Sequence, residues 1–234
     1  MIHKDLIARG LQGEVYTLHD AYAAYLRDNL HIDMNFVVKK VPYSTFSVNE
    51  LTIHKYTSTH AFPHIIPLVH WMASGEHASV DAFDVNPNLN QPLDYLYMTF
   101  PRMEGSIEDL SRFTFRQRID MVLQLIHMIQ SLHSVGVCHN DFDLHNIMYV
   151  RSGTGVHLFL IDFGLAEMIV HPEMIHDDYV SLATNISYLI WDQNMDDHTC
   201  LKDRRLCNLL YEIENATTQM DFRELIRYTT QNDD

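Results

Sequence analysis

The chain has 234 residues, of which 47% are hydrophobic and 20% are charged, the composition of a globular protein with a substantial core. Its formal net charge is −15, and such a surface repels the phosphates of nucleic acids and of anionic lipids. We therefore expect neither nucleic acid nor membrane as the main partner, whereas a basic protein would be attracted.

The chain shows no sign of export or of a structural metal. No apolar run is long enough to span a membrane, and the first residues lack the apolar stretch of a signal peptide. The three cysteines, Cys138, Cys200 and Cys207, lack metal-site spacing and are typical of reduced thiols, while the 16 histidines are scattered. We expect an intracellular protein, cytoplasmic or nuclear.

The first hundred residues are rich in strand formers. Residues 37–41 and 93–100 are apolar runs that predict two strands. Between them, residues 48–57 carry apolar side chains at helical spacing and predict a helix. Residues 17–36 are a polar insertion to which the pattern assigns no structure, and residues 86–92 predict a loop.

The second half of the chain has a helical pattern. Apolar residues recur at intervals of three and four over residues 119–132, which predicts a buried helix of about five turns that Gly136 ends. Two short strands are expected around residues 147–150 and 158–161, and helices over residues 177–228. A strand-rich front and a helical back predict an α+β chain of two lobes.

Two short motifs carry the strongest chemical signal. They are His139-Asn-Asp-Phe-Asp-Leu-His-Asn146 and, sixteen residues after Asn146, Asp162-Phe-Gly164. They resemble the H-R-D-x-x-x-x-N catalytic loop and the D-F-G triplet of the eukaryotic protein-kinase-like superfamily. The resemblance implies one bilobal catalytic domain over residues 1–234. Its expected parts are an N-lobe (1–100), a hinge (101–105) and a reduced, helical C-lobe (106–234).

The resemblance also implies roles for these residues. Phosphoryl transfer depends on positioning and on neutralising charge. By resemblance Asp141 is the catalytic base that accepts the proton of the acceptor hydroxyl. Asn146 and Asp162 would hold the metal that bridges the phosphates, and such hard oxygen ligands suit magnesium. The expected cofactors are therefore ATP and Mg²⁺.

A segment near the N-terminus resembles the glycine-rich loop of kinases. It runs Ala8-Arg-Gly10-Leu-Gln-Gly13-Glu-Val15, with alanine at the position of the first glycine. Glycine is needed where backbone approaches phosphate closely, so Gly10 and Gly13 are the informative positions. The resemblance implies that this loop covers the ATP phosphates.

The remaining nucleotide contacts are expected on the strand and the connector that follow. Lys39 resembles the kinase lysine that contacts the α- and β-phosphates, and Glu50 is its expected partner on a helix. Lys40 is the alternative, but strand alternation favours Lys39. The connector, Tyr97-Met-Thr-Phe-Pro-Arg-Met-Glu-Gly105, resembles the kinase hinge. The resemblance implies that Phe100 is the gatekeeper and that the backbone amide of Met103 contacts adenine.

Asp178 resembles the aspartate that anchors the backbone of the catalytic loop, but three features depart from the family. Asp143 replaces a lysine that contacts the γ-phosphate, so we expect its carboxylate to point elsewhere, towards a histidine or a cationic substrate group. Only thirteen residues separate Gly164 from Asp178, and Asn140 replaces the arginine that receives an activating phosphate. These features predict that loop phosphorylation does not control the protein.

The leading hypothesis is an active, atypical serine/threonine protein kinase of the minimal kind familiar among viral kinases. If the chain is viral, its compartment is the host cell. Asp143 and the short segment also fit a small-molecule kinase of the same fold, such as those acting on aminoglycosides or choline. A pseudokinase that keeps the fold without turnover is the second alternative, although every residue needed for metal, phosphate and base is present.

Overall fold

A computed structural model of the chain describes residues 3–10, 13–30, 35–60, 62–74, 94–153, 155–191 and 203–231. The chain divides into two compact units, Met1–Thr59 with Ile66–Arg102, and His60–Ile65 with Met103–Asp234. The predicted limits at 100, 101–105 and 106 stay predictions. No helix in the described part of the chain is long and apolar enough to cross a membrane.

The first unit is built on an antiparallel sheet of five strands. These are β1 (His3–Arg9), β2 (Glu14–Leu18), β3 (Phe36–Pro42), β4 (His70–Ser74) and β5 (Tyr95–Pro101). Their order in the sheet is β1-β2-β3-β5-β4, so β3 and β5 pair in the middle. The strands predicted at 37–41 and 93–100 are β3 and β5.

Two of the helices that the structure describes pack on this sheet, α1 (Asp20–Leu30) and α2 (Thr45–Thr59). Tyr22 and Leu26 of α1 pack on Val38 of β3, whereas Glu50 of α2 reaches the next residue, Lys39. Because successive side chains of a strand point to opposite faces, the two helices cover opposite faces of the sheet. Helix α2 is the one predicted over 48–57, and α1 lies in the insertion of unassigned structure.

The second unit contains the long helix α3 (Phe115–Ser134), which confirms the helix predicted over 119–132. Thr114 begins it with a capping box. The Thr114 hydroxyl accepts the backbone N–H of Gln117, and the side-chain carbonyl of Gln117 accepts the backbone N–H of Thr114. Gly136 follows the end of the helix at φ 75°, a conformation that glycine adopts without strain.

Short strands lie beside this helix. β6 (Gly105–Ser106), β8 (Ile147–Ser152) and β9 (Gly155–Leu160) form a sheet in the order β6-β8-β9, and β7 (Val137–Cys138) pairs with β10 (Glu167–Met168). The two strands predicted around 147–150 and 158–161 are β8 and β9, which form an antiparallel hairpin.

Further helices of the second unit, among the residues that the structure describes, are α4 (His176–Trp191), α5 (Arg204–Glu214) and α6 (Arg223–Gln231). Helix α4 packs between α3 and α5. The predicted α+β class, with a strand-rich front and a helical back, is confirmed. The loop predicted at 86–92 lies outside the described residues. The expectation of reduced thiols holds for the buried Cys138 and is wrong for Cys207, which is disulfide-bonded.

Candidate active site

The loop of residues 139–146, between β7 and β8, is held by the first turn of α4. The buried Asp178 carboxylate accepts the backbone N–H groups of His139 (2.9 Å) and Asn140 (2.8 Å). It also lies 2.9 Å from Nε2 of the buried His133. Several donors make burial of this carboxylate favourable. The prediction that Asp178 anchors the loop backbone is confirmed.

Asn140 and Asp162 adopt the left-handed backbone conformation. Their φ angles are 60° and 59°, and among the described residues no other non-glycine residue has a positive φ. This conformation is uncommon for a side-chain-bearing residue, though asparagine and aspartate tolerate it best. The Asn140 amide donates to the Leu165 carbonyl at 3.0 Å, and Asp162 Oδ1 accepts the Gly164 N–H at 3.2 Å. Each unusual backbone is therefore accompanied by a local hydrogen bond.

Asp141 and Asn146 are bound to each other. The Asn146 amide nitrogen donates to the backbone carbonyl of Asp141 at 2.9 Å and to its Oδ2 at 2.8 Å. Asn146 is 4% exposed, whereas the Asp141 side chain is 33% exposed. The carboxylate is therefore fixed from the protein side and still reachable from solvent. Because the nitrogen of Asn146 faces Asp141, its amide oxygen is the atom left for a metal.

The β8-β9 hairpin brings Asn146 and Asp162 close to each other. Ile147 pairs with Leu160, so Asn146 lies opposite Ile161, whose N–H donates to the Asn146 carbonyl at 2.9 Å. The two predicted metal ligands therefore lie at the same end of the hairpin. Two oxygen-bearing side chains there agree with the ligand chemistry of Mg²⁺.

His139 supports this arrangement from inside. Its Nε2 lies 3.1 Å from the Ile161 carbonyl, which requires a proton on that nitrogen, and its ring contacts Phe142 and Phe163 edge-on. Burial lowers the pKa of His139 below its ordinary value of 6.5. A neutral imidazole that is buried in this way links the loop to the strand before Asp162.

Asp143 and His145 lie on the exposed side of the same loop. The ligand atoms of Asp141, Asp143 and His145 all lie within 4.8 Å of one another. Nε2 of His145 is 3.9 Å from Oδ2 of Asp141. This position agrees with the expectation that Asp143 turns towards a histidine, and it makes the exposed side of the loop rich in carboxylates.

In the first unit, Lys39 and Glu50 form a nearly dehydrated ion pair. Nζ of Lys39 lies 2.6 Å from Oε1 of Glu50, and the two side chains are 12% and 3% exposed. Lys40 points to the other face of the sheet, with its Nζ 3.8 Å from the centre of the Tyr95 ring. Alternation along β3 thus brings Lys39, and not Lys40, to the helix glutamate.

The two glycines of the predicted glycine-rich loop differ in their surroundings. The Gly10 N–H donates to the Gly13 carbonyl at 2.9 Å, and Ala8 pairs with Val15 across β1 and β2. A Cβ on Gly13 would lie 2.5 Å from Cγ1 of Val41, whereas one on Gly10 would meet nothing closer than 3.9 Å. Close packing on β3 therefore requires glycine at position 13.

The predicted adenine contacts lie on either side of the boundary between the units. Phe100 is buried near the end of β5, with its ring 5.0 Å from that of His54 on α2. Met103 is half-buried and is the first residue of the second unit after that boundary. Their assigned roles stay predictions.

Asn185 and His133, which contact the loop and Asp178, were not predicted from the sequence. The buried Asn185 amide donates to the Phe142 carbonyl at 2.6 Å, and His133 contacts Asp178. The sequence feature that could have pointed to Asn185 is its spacing from Asp178. Asn185 lies seven residues after Asp178, so the two polar side chains share one face of α4.

Comparison with known proteins identifies the family of this chain. Residues 5–188, most of the chain, match the family model described as the protein kinase domain. The chain belongs to the protein kinase domain family. In this kinase domain, the match extends over all the predicted site residues in both units.

Individual relatives match this kinase domain over shorter stretches than the family model does. It is 30% identical to MAP kinase-activated protein kinase 2 of Cricetulus longicaudatus over 106 residues, which are 42% of this chain and 32% of the relative. It is 31% identical to the negative regulator of sexual conjugation and meiosis of Schizosaccharomyces pombe over 168 residues, 69% of this chain and 31% of the relative. For ribosomal protein S6 kinase alpha-2 of Mus musculus the identity is 26% over 156 residues, 61% of this chain and 21% of the relative. The chain thus matches about a third or less of each relative's length.

Proposed function

We propose that the chain is an ATP- and Mg²⁺-dependent serine/threonine protein kinase with Asp141 as catalytic base. The observation that supports this best is the hydrogen-bonded pair of Asp141 and Asn146 on a loop bound by the buried Asp178. Phosphoryl transfer needs a fixed carboxylate near the acceptor hydroxyl and oxygen ligands for a metal. The loop and the hairpin end beside it supply both.

In this proposal Asp141 accepts the proton of the acceptor hydroxyl as the hydroxyl oxygen bonds to the γ-phosphorus. The bond from the γ-phosphorus to the oxygen that bridges it to the β-phosphate breaks at the same time, and ADP leaves. Asn146 fixes the orientation of the carboxylate by binding one of its oxygens, and the partial exposure of Asp141 lets the acceptor approach. Positioning of this kind lowers the barrier because the reacting groups need not be ordered during the reaction.

The predicted metal ligands fit magnesium. The Asn146 amide presents its oxygen away from Asp141, and Asp162 adds a carboxylate at the same end of the hairpin. When bound, Mg²⁺ would neutralise charge on the phosphates. Asp162 is held in its unusual backbone conformation, which gives its side chain a fixed direction.

Lys39 would bind the α- and β-phosphates in the first unit. Glu50 fixes the position of the Lys39 ammonium through their 2.6 Å contact. The glycine-rich loop would lie over the nucleotide, and the connector would contact adenine. The proposed nucleotide-binding residues, in addition to Lys39 and Glu50, are Ala8, Gly10, Gly13, Val15, Phe100 and Met103.

The proposed acceptor is a hydroxyl on a basic protein. Relatives named as protein kinases support a protein acceptor, and the net charge of −15 together with the exposed Asp143 supports a basic one. Asp143 also favours the second candidate, a small-molecule kinase whose cationic substrate would bind beside Asp141. We further propose that the protein acts inside the cell, in the cytoplasm or nucleus.

The proposed kinase is not controlled by phosphorylation of the segment after Gly164. Residues 165–178 contain no serine, threonine or tyrosine, so this segment offers no hydroxyl to a kinase. The Asn140 amide binds the Leu165 carbonyl, and the N–H of Ile169 binds the Gly136 carbonyl at 2.7 Å. These bonds fix the segment without a phosphate group.

The test is transfer of radiolabelled phosphate from ATP with Mg²⁺ to a basic peptide mixture and to an acidic one matched in hydroxyl content. We expect labelling of the basic mixture and a loss of at least about 100-fold in Asp141→Asn, because the variant has no carboxylate to accept the proton. His157→Gln, on the exposed side of β9, is the control and should keep full activity.

Other results would favour the alternatives. Labelling of aminoglycosides or choline without labelling of peptides would favour the small-molecule kinase. Thermal stabilisation by ATP with Mg²⁺ that is lost in Asp162→Asn, without transfer to any acceptor, would favour the pseudokinase and overturn the proposed activity.

A further inference from the structure

Asn185 is a buried polar residue in the middle of a largely apolar helix. It lies on α4 and is 3% exposed. Its amide nitrogen donates to the backbone carbonyl of Phe142 at 2.6 Å. Phe142 is the residue between Asp141 and Asp143, and its own side chain is fully buried. The hydrogen bond therefore reaches the backbone immediately next to the proposed catalytic base.

The peptide group between Phe142 and Asp143 is bound at both of its ends. Its carbonyl accepts the Asn185 amide, and its N–H donates to the Asp141 carbonyl at 2.9 Å. The same Asp141 carbonyl accepts the Asn146 amide at 2.9 Å. A rotation of this peptide group would therefore displace the Asp141 backbone and the bond that orients its carboxylate.

Helix α4 holds the loop at two points. Asp178 binds the backbone N–H groups of His139 and Asn140, which precede Asp141, and Asn185 binds the carbonyl that follows it. Seven residues are nearly two turns, about 10 Å along a helix, so both side chains project from one face. Asp141 lies between these two attachments.

We propose that Asn185 is a positioning residue for Asp141. It acts through the Phe142 carbonyl, and it affects the rate of the chemical step more than the affinity for ATP. Its effect on catalysis rests on the proposed function, whereas its effect on the geometry of the loop does not. The amide matters because its N–H donates to the Phe142 carbonyl, which a hydrocarbon side chain cannot do.

The test compares Asn185→Leu, which keeps the approximate size and removes the donor, with Thr229→Val. Thr229 is a fully buried residue of α6 whose hydroxyl donates to the Ile226 carbonyl at 2.9 Å. The control removes one buried donor from the same unit, on a helix that packs mainly on α3 and α5. We expect Asn185→Leu to lower kcat about 10- to 100-fold with KM for ATP changed less than twofold, since small misplacements of reacting groups are costly. Thr229→Val should keep kcat.

A second measurement does not depend on activity. In amide hydrogen exchange, Asn185→Leu should speed exchange of the Asp143 N–H at least tenfold relative to amides of α3, and Thr229→Val should not. In addition, Asn185→Leu should lower kcat no further in the Asp141→Asn background, because both changes act on one group.

Equal kcat for Asn185→Leu and Thr229→Val in an active enzyme would overturn the proposal, and so would unchanged exchange at Asp143. A wild-type protein without phosphate transfer that still shows the selective exchange effect would contradict the proposed function and leave the positioning of the loop by Asn185 supported.

Discussion

The ion pair of Lys39 and Glu50 is the most buried pair of opposite charges that the structure describes in the first unit. Because both side chains are almost removed from water, neither charge is stable there without the other. Such a pair contributes to the direction of Lys39 more than to the stability of the fold.

Glu50→Gln should therefore destabilise the protein by about 3 kcal/mol, because it leaves the Lys39 ammonium buried without a carboxylate. Urea unfolding measures this loss. The double variant Lys39→Met with Glu50→Leu should recover most of the stability without recovering activity. Lys40→Met, which removes the contact of the ammonium with the Tyr95 ring, should cost less than about 1 kcal/mol. A double variant as unstable as Glu50→Gln would contradict this account.

Single residues also show where sequence reasoning succeeded and where it stopped. The resemblance implied a lysine paired with a helix glutamate, and strand alternation favoured Lys39 over Lys40. Glu50 is the only glutamate between residues 39 and 74, so the sequence also indicated the partner. For Gly13, the resemblance suggested approach to phosphate, whereas the structure adds close packing against Val41 and Lys40. That contact depends on strand pairing, which a motif of eight residues does not contain.

Among the larger elements, α1 determines how the first unit is packed. It covers the face of the sheet opposite α2, so that Val38 and Tyr97 are almost fully buried. The sequence did not predict this helix, because few of its side chains face the sheet and most of its other positions are alanine or polar. By contrast, α3 has an apolar residue in each turn and was predicted directly.

Leu26→Ala should lower the free energy of unfolding by about 2–4 kcal/mol, since it leaves a cavity between α1 and the sheet. Tyr22→Phe keeps the ring and removes the hydroxyl that lies 3.0 Å from Nδ1 of His70, so it should cost only about 1 kcal/mol. Chemical denaturation gives both values. If Leu26→Ala cost no more than Tyr22→Phe, α1 would contribute little to the core.

Helix α4 shows a different limit of sequence reasoning. The resemblance predicted that Asp178 binds the loop backbone, and the structure confirms it. Asn185 was not predicted, because its seven-residue spacing from Asp178 shows only that the two side chains share a helix face, and not what Asn185 binds. Its partner is a backbone carbonyl, which is invisible in a list of side chains.

At the scale of the whole molecule, burial lowers the pKa values of four of the histidines that the structure describes. It is the main cause that lowers the pKa values of His3, His64, His70 and His139 below the ordinary 6.5. Such histidines stay neutral in the folded protein at a pH where the unfolded chain already binds protons.

Stability should therefore fall as the pH decreases below about 6.5, because the unfolded state then takes up more protons than the folded state. For the fully buried His139 the slope can approach about 1.4 kcal/mol per pH unit, and for the three partly exposed histidines it is smaller. Urea unfolding between pH 7 and 5.5 measures it. His139→Gln, which keeps a donor for the Ile161 carbonyl, should show a shallower dependence. An identical slope in both proteins would refute the role given to His139.

The segment after Gly164 has one more consequence. A phosphate ester on such a segment persists after another kinase has acted and so preserves the effect of that kinase. Residues 165–178 have no hydroxyl that could carry such an ester. Under the proposed function, the phosphate-transfer rate of the protein therefore cannot depend on an earlier phosphorylation of this segment.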